Sequence, residues 1–156
     1  MRARFVVLAL ALLTVSVGLA AADDPLVGNW KLNPAKSKFS PPPPPKDITI
    51  KYEPSGAVGI KVTAEITDAN GKKTVTAYSG SFDGKDFTVT GNADGDTGSM
   101  RRIDANTTEV ANKKAGKATT TLRRAVSKDG KTLTITAKGT DGQGRPVNSV
   151  EVFDKQ

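Results

Sequence analysis

Short runs in which apolar and polar residues alternate, each bounded by turn residues, repeat along most of this chain. The clearest run is Val58–Ile66, where apolar side chains at every second position alternate with Gly, Lys, Thr and Glu. A period of two predicts a β-strand with one buried face. Because the chain after Asp24 shows no helical period of any length, the pattern predicts an all-β protein.

Turn signals separate the runs and predict how the strands connect. They include the pairs Asn70-Gly71, Asp83-Gly84, Asp129-Gly130 and Asp141-Gly142. Such pairs favour the type I′ turns of hairpins, because both central residues of that turn have positive φ. Successive hairpins give an antiparallel up-and-down meander, and closing it into a barrel of about 8–10 strands removes its two exposed edges. A two-sheet sandwich is the alternative, but its crossovers need long connections, and the only long one precedes Asp47.

The first 22 residues predict a signal peptide that is cleaved. Arg2 and Arg4 provide a positive start, the next fifteen residues are almost wholly apolar, and Ala20–Ala22 supplies small residues for cleavage. The apolar run is shorter than the roughly 20 residues of a spanning helix, although an uncleaved anchor is the alternative. We therefore expect a bacterial protein exported to the periplasm or medium, with no membrane segment in the mature chain.

The mature chain is predicted to be one domain, residues 23–156. Residues 23–46 hold the first strand and a proline-rich connector, and residues 47–156 form the rest of the barrel. Pro41–Pro45 is a run of five prolines, which favours polyproline II. We interpret it as a stiff connector across a barrel end, the alternative being a docking segment for aromatic grooves.

The composition excludes several function classes. The chain has no His and no Cys, so it lacks the commonest general base, the commonest metal ligands and the strongest nucleophile. We expect no enzyme activity, no cofactor and no metal; Asn92, Asp94 and Asp96 resemble part of a calcium loop but lack its closing Glu. The charge of +7 is scattered among acids, and aromatics make up 5%. That pattern argues against a nucleic-acid site. We expect a monomer.

The first and last runs resemble those of a known superfamily. Gly28-Asn29-Trp30-Lys31-Leu32 is similar to the opening strand of the calycins, which include lipocalins and fatty-acid-binding proteins, and Val150–Lys155 is similar to the closing strand of the latter. The resemblance implies a lipocalin-like barrel whose interior holds a ligand, with Gly28 and Trp30 forming its floor. The proline run occupies the place of the helical lid of fatty-acid-binding proteins, so no helical lid is expected.

Arg124 is the leading candidate for a ligand contact. It shares the apolar face of its strand with Leu122 and Val126, and a buried arginine is costly unless it is paired, with a fork that suits a carboxylate. The resemblance implies that Arg124 holds an anionic headgroup. The alternatives are that it extends to solvent or pairs with a structural acid such as Glu109.

Other interior positions complete the predicted site. Arg102, beside Met100, is a second candidate for an anion. Polar contacts are expected from Tyr78 and Thr120, and an apolar lining from Phe82, Phe87 and Val62. The leading hypothesis is an exported lipocalin-like barrel that binds a small hydrophobic or amphipathic ligand, anionic ligands included. The alternative is a non-catalytic structural or protein-interaction module whose barrel is filled with side chains.

Overall fold

The computed structural model describes residues 24–156, which form one closed antiparallel barrel of ten strands. In chain order the strands are β1 (Gly28–Leu32), β2 (Asp47–Ser55), β3 (Gly59–Thr67), β4 (Lys73–Ser81), β5 (Asp83–Thr90), β6 (Thr97–Arg102), β7 (Thr107–Lys114), β8 (Lys117–Val126), β9 (Thr132–Thr140) and β10 (Pro146–Lys155). Each strand pairs with its sequence neighbours, and β1 pairs with β10 to close the barrel. The predicted all-β meander without a helical lid is confirmed.

One sequence prediction concerns the start of the chain, and another concerns membrane-spanning helices. The predicted signal peptide, residues 1–22, lies outside the described residues. Within residues 24–156 no helix is long and apolar enough to cross a membrane; a single 3₁₀ turn, Pro34–Lys36, follows β1.

The connector after β1 continues the edge of the barrel along β10. Lys38 forms a β-bridge with Val150, and the carbonyl oxygen of Ser40 accepts a hydrogen bond from the amide of Asn148 at 3.1 Å. β1 is only five residues long, so these contacts pair the part of β10 that β1 does not reach. They bring the proline run to the end of the barrel that carries the β3–β4 turn.

The opposite end of the barrel is closed by packed side chains. Trp30 is 1% exposed, its Nε1 donates to the carbonyl oxygen of Leu26 at 2.8 Å, and the Lys155 Nζ lies 5.1 Å from its ring centroid. Gly28 has a φ of +135°, and a Cβ there would lie 2.7 Å from the Lys155 Cε. Glycine therefore lets β1 bend where Lys155 crosses it, and Trp30 occupies the floor.

The seam between β4 and β5 is the least regular part of the sheet. Only Ala77 with Thr90 and Tyr78 with Val89 are paired across it. Further along, the two strands diverge, and the ring of Phe87 fills the space so closely that a Cβ on Gly80 would lie 2.4 Å from it. A side chain rather than backbone pairing therefore closes this part of the wall.

Candidate functional site

Two rows of side chains point into the barrel from opposite walls. The strand register places one row on β2–β5 and the other on β8–β10. The first row is Tyr52, Val62, Tyr78 and Val89, and the second is Arg124, Ile135 and Glu151. Because successive residues of a strand point to opposite faces, each row lies on one face of the sheet, and closure of the barrel brings the two tyrosines opposite the arginine.

Arg124 lies inside the barrel and reaches across it. Arg124 is 3% exposed, and its Nη2 donates a hydrogen bond to the hydroxyl of Tyr78. The guanidinium carbon lies 5.5 Å from the ring centroid of Tyr52 and 5.8 Å from that of Tyr78, within the range of a cation–π contact. The side chain therefore does not extend to solvent.

Arg124 has no acidic partner in the described part of the chain. No ion pair there includes its guanidinium, and its Nε has no hydrogen-bond partner. Glu109, the acid considered as a structural partner, instead pairs with Arg101 at 2.5 Å. Burial by itself would lower the pKa of Arg124, but the hydrogen bond to Tyr78 and the negative charge of Glu151 help to hold it above its usual value, so the group stays charged.

Tyr52 adds a second free donor beside the guanidinium. Tyr52 is 1% exposed, and its hydroxyl has no hydrogen-bond partner among residues 24–156. Burial raises the pKa of Tyr52 well above its usual value, so the hydroxyl stays protonated and able to donate. Arg124, Tyr52 and Tyr78 together are called the arginine–tyrosine cluster below.

The cluster borders a cavity of about 190 Å³. Most of the cavity wall is aliphatic: Ile48, Ile50, Val62, Ala64, Ile66, Val89, Leu122 and Ile135. The polar part of the wall is Tyr52, Thr76, Tyr78, Asn92, Asn112, Arg124 and Glu151. A mostly apolar cavity with a few converging polar groups is the usual form of a small-molecule site.

Among residues 24–156, Glu151 is the one acid on the cavity wall. Burial raises its pKa to about 7, and the nearby positive charge of Arg124 opposes that rise. No ion pair of the described chain includes this carboxylate. The cavity thus has an unpaired acid as well as an unpaired guanidinium.

A depression of about 380 Å³ on the surface leads to this cavity. The connector forms one side of it with Phe39, Pro43 and Pro45, and the β3–β4 turn forms the other with residues 68–70. Three residues border both the depression and the cavity: Ile48, Ile66 and Glu151. This depression is called the mouth below, and Glu151 lies where it joins the cavity.

The sequence-predicted site residues divide into two groups. Arg124, Tyr78 and Val62 line the cavity. Thr120 is buried and accepts a hydrogen bond from the Nδ2 of Asn112, a cavity residue, at 3.0 Å. The structure therefore brings four of the seven predicted ligand contacts to one place or next to it.

Arg102, Phe82 and Phe87 do not border this cavity. Arg102 is at the closed end, where it donates to the Asp24 carboxylate and its guanidinium carbon lies 4.2 Å from the ring centroid of Phe82. Phe87 packs against the hydrophobic core and stacks on Tyr78, with ring centroids 5.0 Å apart. The alternation predicts the correct face of β6 for Arg102. Because Arg102 is the last residue of that strand, however, its side chain lies at the barrel end and not in the interior.

Sequence reasoning missed Tyr52 and Glu151. The period of two that marks Ile48 and Ile50 as inward also reaches Tyr52. On β10, counting back two residues from the buried Phe153 reaches Glu151 in the same way. A strict count along each strand would therefore have found both residues.

The acidic loop considered as a calcium site connects backbone segments instead. An Asp94 oxygen accepts from the amide of Gly142 at 2.8 Å, and an Asp96 oxygen accepts from the amide of Ala115 at 2.9 Å. Residues 24–156 contain no group of three or more His, Cys, Asp or Glu side chains placed to hold a metal ion.

The comparisons with known proteins bear on the fold alone. The structure is similar to the crystal structure of the fluorescent protein UnaG, with a TM-score of 0.58 and 16% sequence identity, over 83% of this chain and 96% of that one. The likeness shows that the two proteins share a barrel fold. No family model matches the chain, and no curated protein sequence matches it.

Proposed function

We propose that this protein binds a small, partly apolar anion in its barrel, with the acidic group of the ligand on the arginine–tyrosine cluster. The observation that carries the proposal is a buried, charged Arg124 that forms no direct ion pair within residues 24–156, beside a buried Tyr52 hydroxyl with no hydrogen-bond partner among those residues. Both groups border the same cavity.

The unpaired donors define what the ligand would supply. A buried charge without a counter-charge costs several kcal/mol, and each unsatisfied buried donor costs about 1–3 kcal/mol. A carboxylate at the cluster would accept hydrogen bonds from the Arg124 Nε and the Tyr52 hydroxyl, which no residue of the described chain does. Arginine suits this role because its planar fork matches a carboxylate.

The cavity sets the size and character of the rest of the ligand. Its volume of about 190 Å³ is below the roughly 300–1,000 Å³ of pockets for drug-sized molecules. The aliphatic wall favours a short hydrocarbon or single-ring portion over a polar one. The unfilled volume also favours ligand binding over the alternative of an interaction module with a filled barrel.

Export and the absence of catalysis belong to the same proposal. The leader-like residues 1–22 support export to a bacterial periplasm or medium. The lack of His and Cys in the whole chain supports a binding role, because a hydrolytic site ordinarily needs a nucleophile with a base in reach.

The test compares two arginines that are adjacent on β8. Binding of 4-phenylbutyrate, measured by isothermal titration calorimetry, should weaken at least about tenfold in Arg124→Met, because charge-assisted hydrogen bonds are lost. Arg123→Met is the matched control, since Arg123 is exposed on the opposite face, and it should bind as the unaltered protein does. Equal affinity in Arg124→Met, or no binding by the unaltered protein at millimolar concentrations, would contradict the proposal.

A further inference from the structure

We propose that the cavity selects ligands with an N–H donor at the end opposite their acid, and that Glu151 is the specificity-determining residue for that donor. This inference rests on the proposed function and narrows its ligand class. A simple alkanoate or aryl alkanoate would satisfy the arginine–tyrosine cluster but leave Glu151 without a partner.

The strand register fixes the spacing of the two charged groups. Arg124 pairs with Ile135 on β9, and Ile135 pairs with Glu151 on β10. Adjacent strands are 4.7–4.9 Å apart, so the two Cα atoms are separated by about 10 Å. The two charged side chains therefore face the cavity from strands that are not adjacent, with an apolar residue between them.

The surroundings of Glu151 indicate that it is available to a ligand. Its carboxylate forms no ion pair in the described chain, and Arg124 is the one positive group whose charge lowers its pKa. Glu151 is half-buried, and an acid partly removed from water without a hydrogen-bond donor is costly. A ligand N–H would provide that donor, and it would do so where the cavity meets the mouth.

Charge and spacing together define the ligand class. A purely anionic ligand brings a second negative charge into a small cavity that already holds the Glu151 carboxylate, whereas an N–H donor converts this repulsion into a hydrogen bond. The Cα separation of about 10 Å between Arg124 and Glu151 favours a ligand whose nitrogen and carboxylate are separated over an α-amino acid, which has both on one carbon. The ligand therefore has its acid and its nitrogen at opposite ends of an apolar portion, with the nitrogen near Ile48 and Ile66.

The experiment uses two probes that differ only in the nitrogen, 4-(4-aminophenyl)butyrate and 4-phenylbutyrate. Titration calorimetry is performed at pH 8.5, where Glu151 is ionised because its pKa is about 7 and the aryl amine is neutral. The unaltered protein should bind the amino probe about tenfold more tightly, since a hydrogen bond to a charged group contributes about 1.5–3 kcal/mol.

Two substitutions locate the source of this preference. Glu151→Met should abolish it and bind 4-phenylbutyrate at least as tightly as the unaltered protein. Glu65→Met, at an exposed position on β3, is the matched control and should retain the full preference. Thermal unfolding verifies that both variants are folded, and Glu151→Gln serves as a milder variant that should reduce the preference without removing it, because its amide oxygen still accepts.

Each outcome decides between the two proposals. Equal binding of the two probes by the unaltered protein, or a preference that survives Glu151→Met, would overturn the role of Glu151. If 4-phenylbutyrate still binds and weakens in Arg124→Met in that case, the proposed anion site stands. Failure of both probes to bind at millimolar concentrations would overturn both proposals.

Discussion

A single arginine inside a small barrel is stabilised here by aromatic side chains rather than by an acid. Arg124 has two tyrosine rings within cation–π range and one tyrosine hydroxyl as an acceptor. Such contacts contribute about 0.5–2 kcal/mol each, which is less than the cost of burying the charge. The residue therefore lowers the stability of the unliganded barrel, and an anion bound beside it would restore part of that stability.

Glu151 should make the stability of the protein depend on pH. Its pKa is about 7 in the folded protein and about 4.3 in an unfolded chain. Between those values the unfolded chain releases the proton while the folded protein keeps it, so folding stability falls as the pH rises through this window. Above pH 7 both states are ionised, and the full cost of the half-buried carboxylate applies.

Glu151→Gln should therefore stabilise the protein more at pH 8 than at pH 4. The difference in unfolding free energy between variant and unaltered protein should grow by up to about 3 kcal/mol over this range, at about 1.4 kcal/mol per pKa unit. Urea denaturation at pH 4, 6 and 8 measures it, with Glu65→Gln as the exposed control. A difference that stays constant with pH would show that the folded protein does not raise the pKa of Glu151.

At the scale of the strands, the β4–β5 seam depends on a glycine. Gly91, directly after β5, has a φ of +70°, and a Cβ there would lie 1.8 Å from the carbonyl oxygen of Val75. The same close approach lets the Thr76 hydroxyl donate to the Gly91 carbonyl oxygen at 3.2 Å. Because only two residue pairs join β4 to β5, this contact is a large part of what holds the seam together.

Replacing Gly91 should separate the two strands. Gly91→Ala should lower the unfolding free energy by about 2–4 kcal/mol, from backbone strain and from the displacement of β4. Gly130 is a matched control, because its φ is +72° but nothing lies within 4 Å of a Cβ placed there, so Gly130→Ala should cost only about 1 kcal/mol. Equal losses in the two variants, measured by urea denaturation, would mean that the seam tolerates the added methyl group.

At the scale of the whole molecule, the barrel has two different ends. The end that holds Trp30 and Leu26 is packed and closed, whereas the other end has the mouth and the acidic loop. The cavity joins the open end, and Arg124 lies between the cavity and the packed core residue Met100. Stability and binding therefore depend on different parts of one barrel.

Trp30→Ala should test this separation. It removes the largest fully buried side chain and should cost about 3–5 kcal/mol of unfolding free energy. Below the unfolding transition, the affinity for 4-phenylbutyrate should change less than threefold, because Trp30 does not border the cavity. Val58→Ala, at a side chain 67% exposed, is the control and should change stability by less than about 0.5 kcal/mol. A large loss of affinity in folded Trp30→Ala would contradict the separation.

Much of the fold follows from local rules that the sequence displays directly. Alternation in runs such as Val58–Ile66 identifies the strands, and Asn70-Gly71 and Asp129-Gly130 mark turns between them. Each of these patterns involves only a few neighbouring residues, so it can be recognised without knowledge of the tertiary structure. The inward direction of Arg124 follows from the same alternation.

The local pattern does not show where a residue lies along the barrel axis, nor which residue faces it from the opposite wall. Arg102 and Arg124 have the same alternation signal, yet one meets Asp24 at the closed end and the other meets Tyr78 in the interior. The difference arises from register and strand tilt, which only closure of the sheet determines. Whether Phe87 would line a cavity or close a seam was likewise decided by the packing of neighbouring strands.

The sequence by itself thus determined the class of fold, the order of the strands and the face on which each side chain lies, because these depend on neighbours in the chain. The tertiary structure decided which inward groups meet, namely Tyr52 and Tyr78 with Arg124, and Glu151 with the mouth. Those contacts join residues as far apart in the chain as Ile48 and Glu151, which come together only when the sheet closes through β1 and β10.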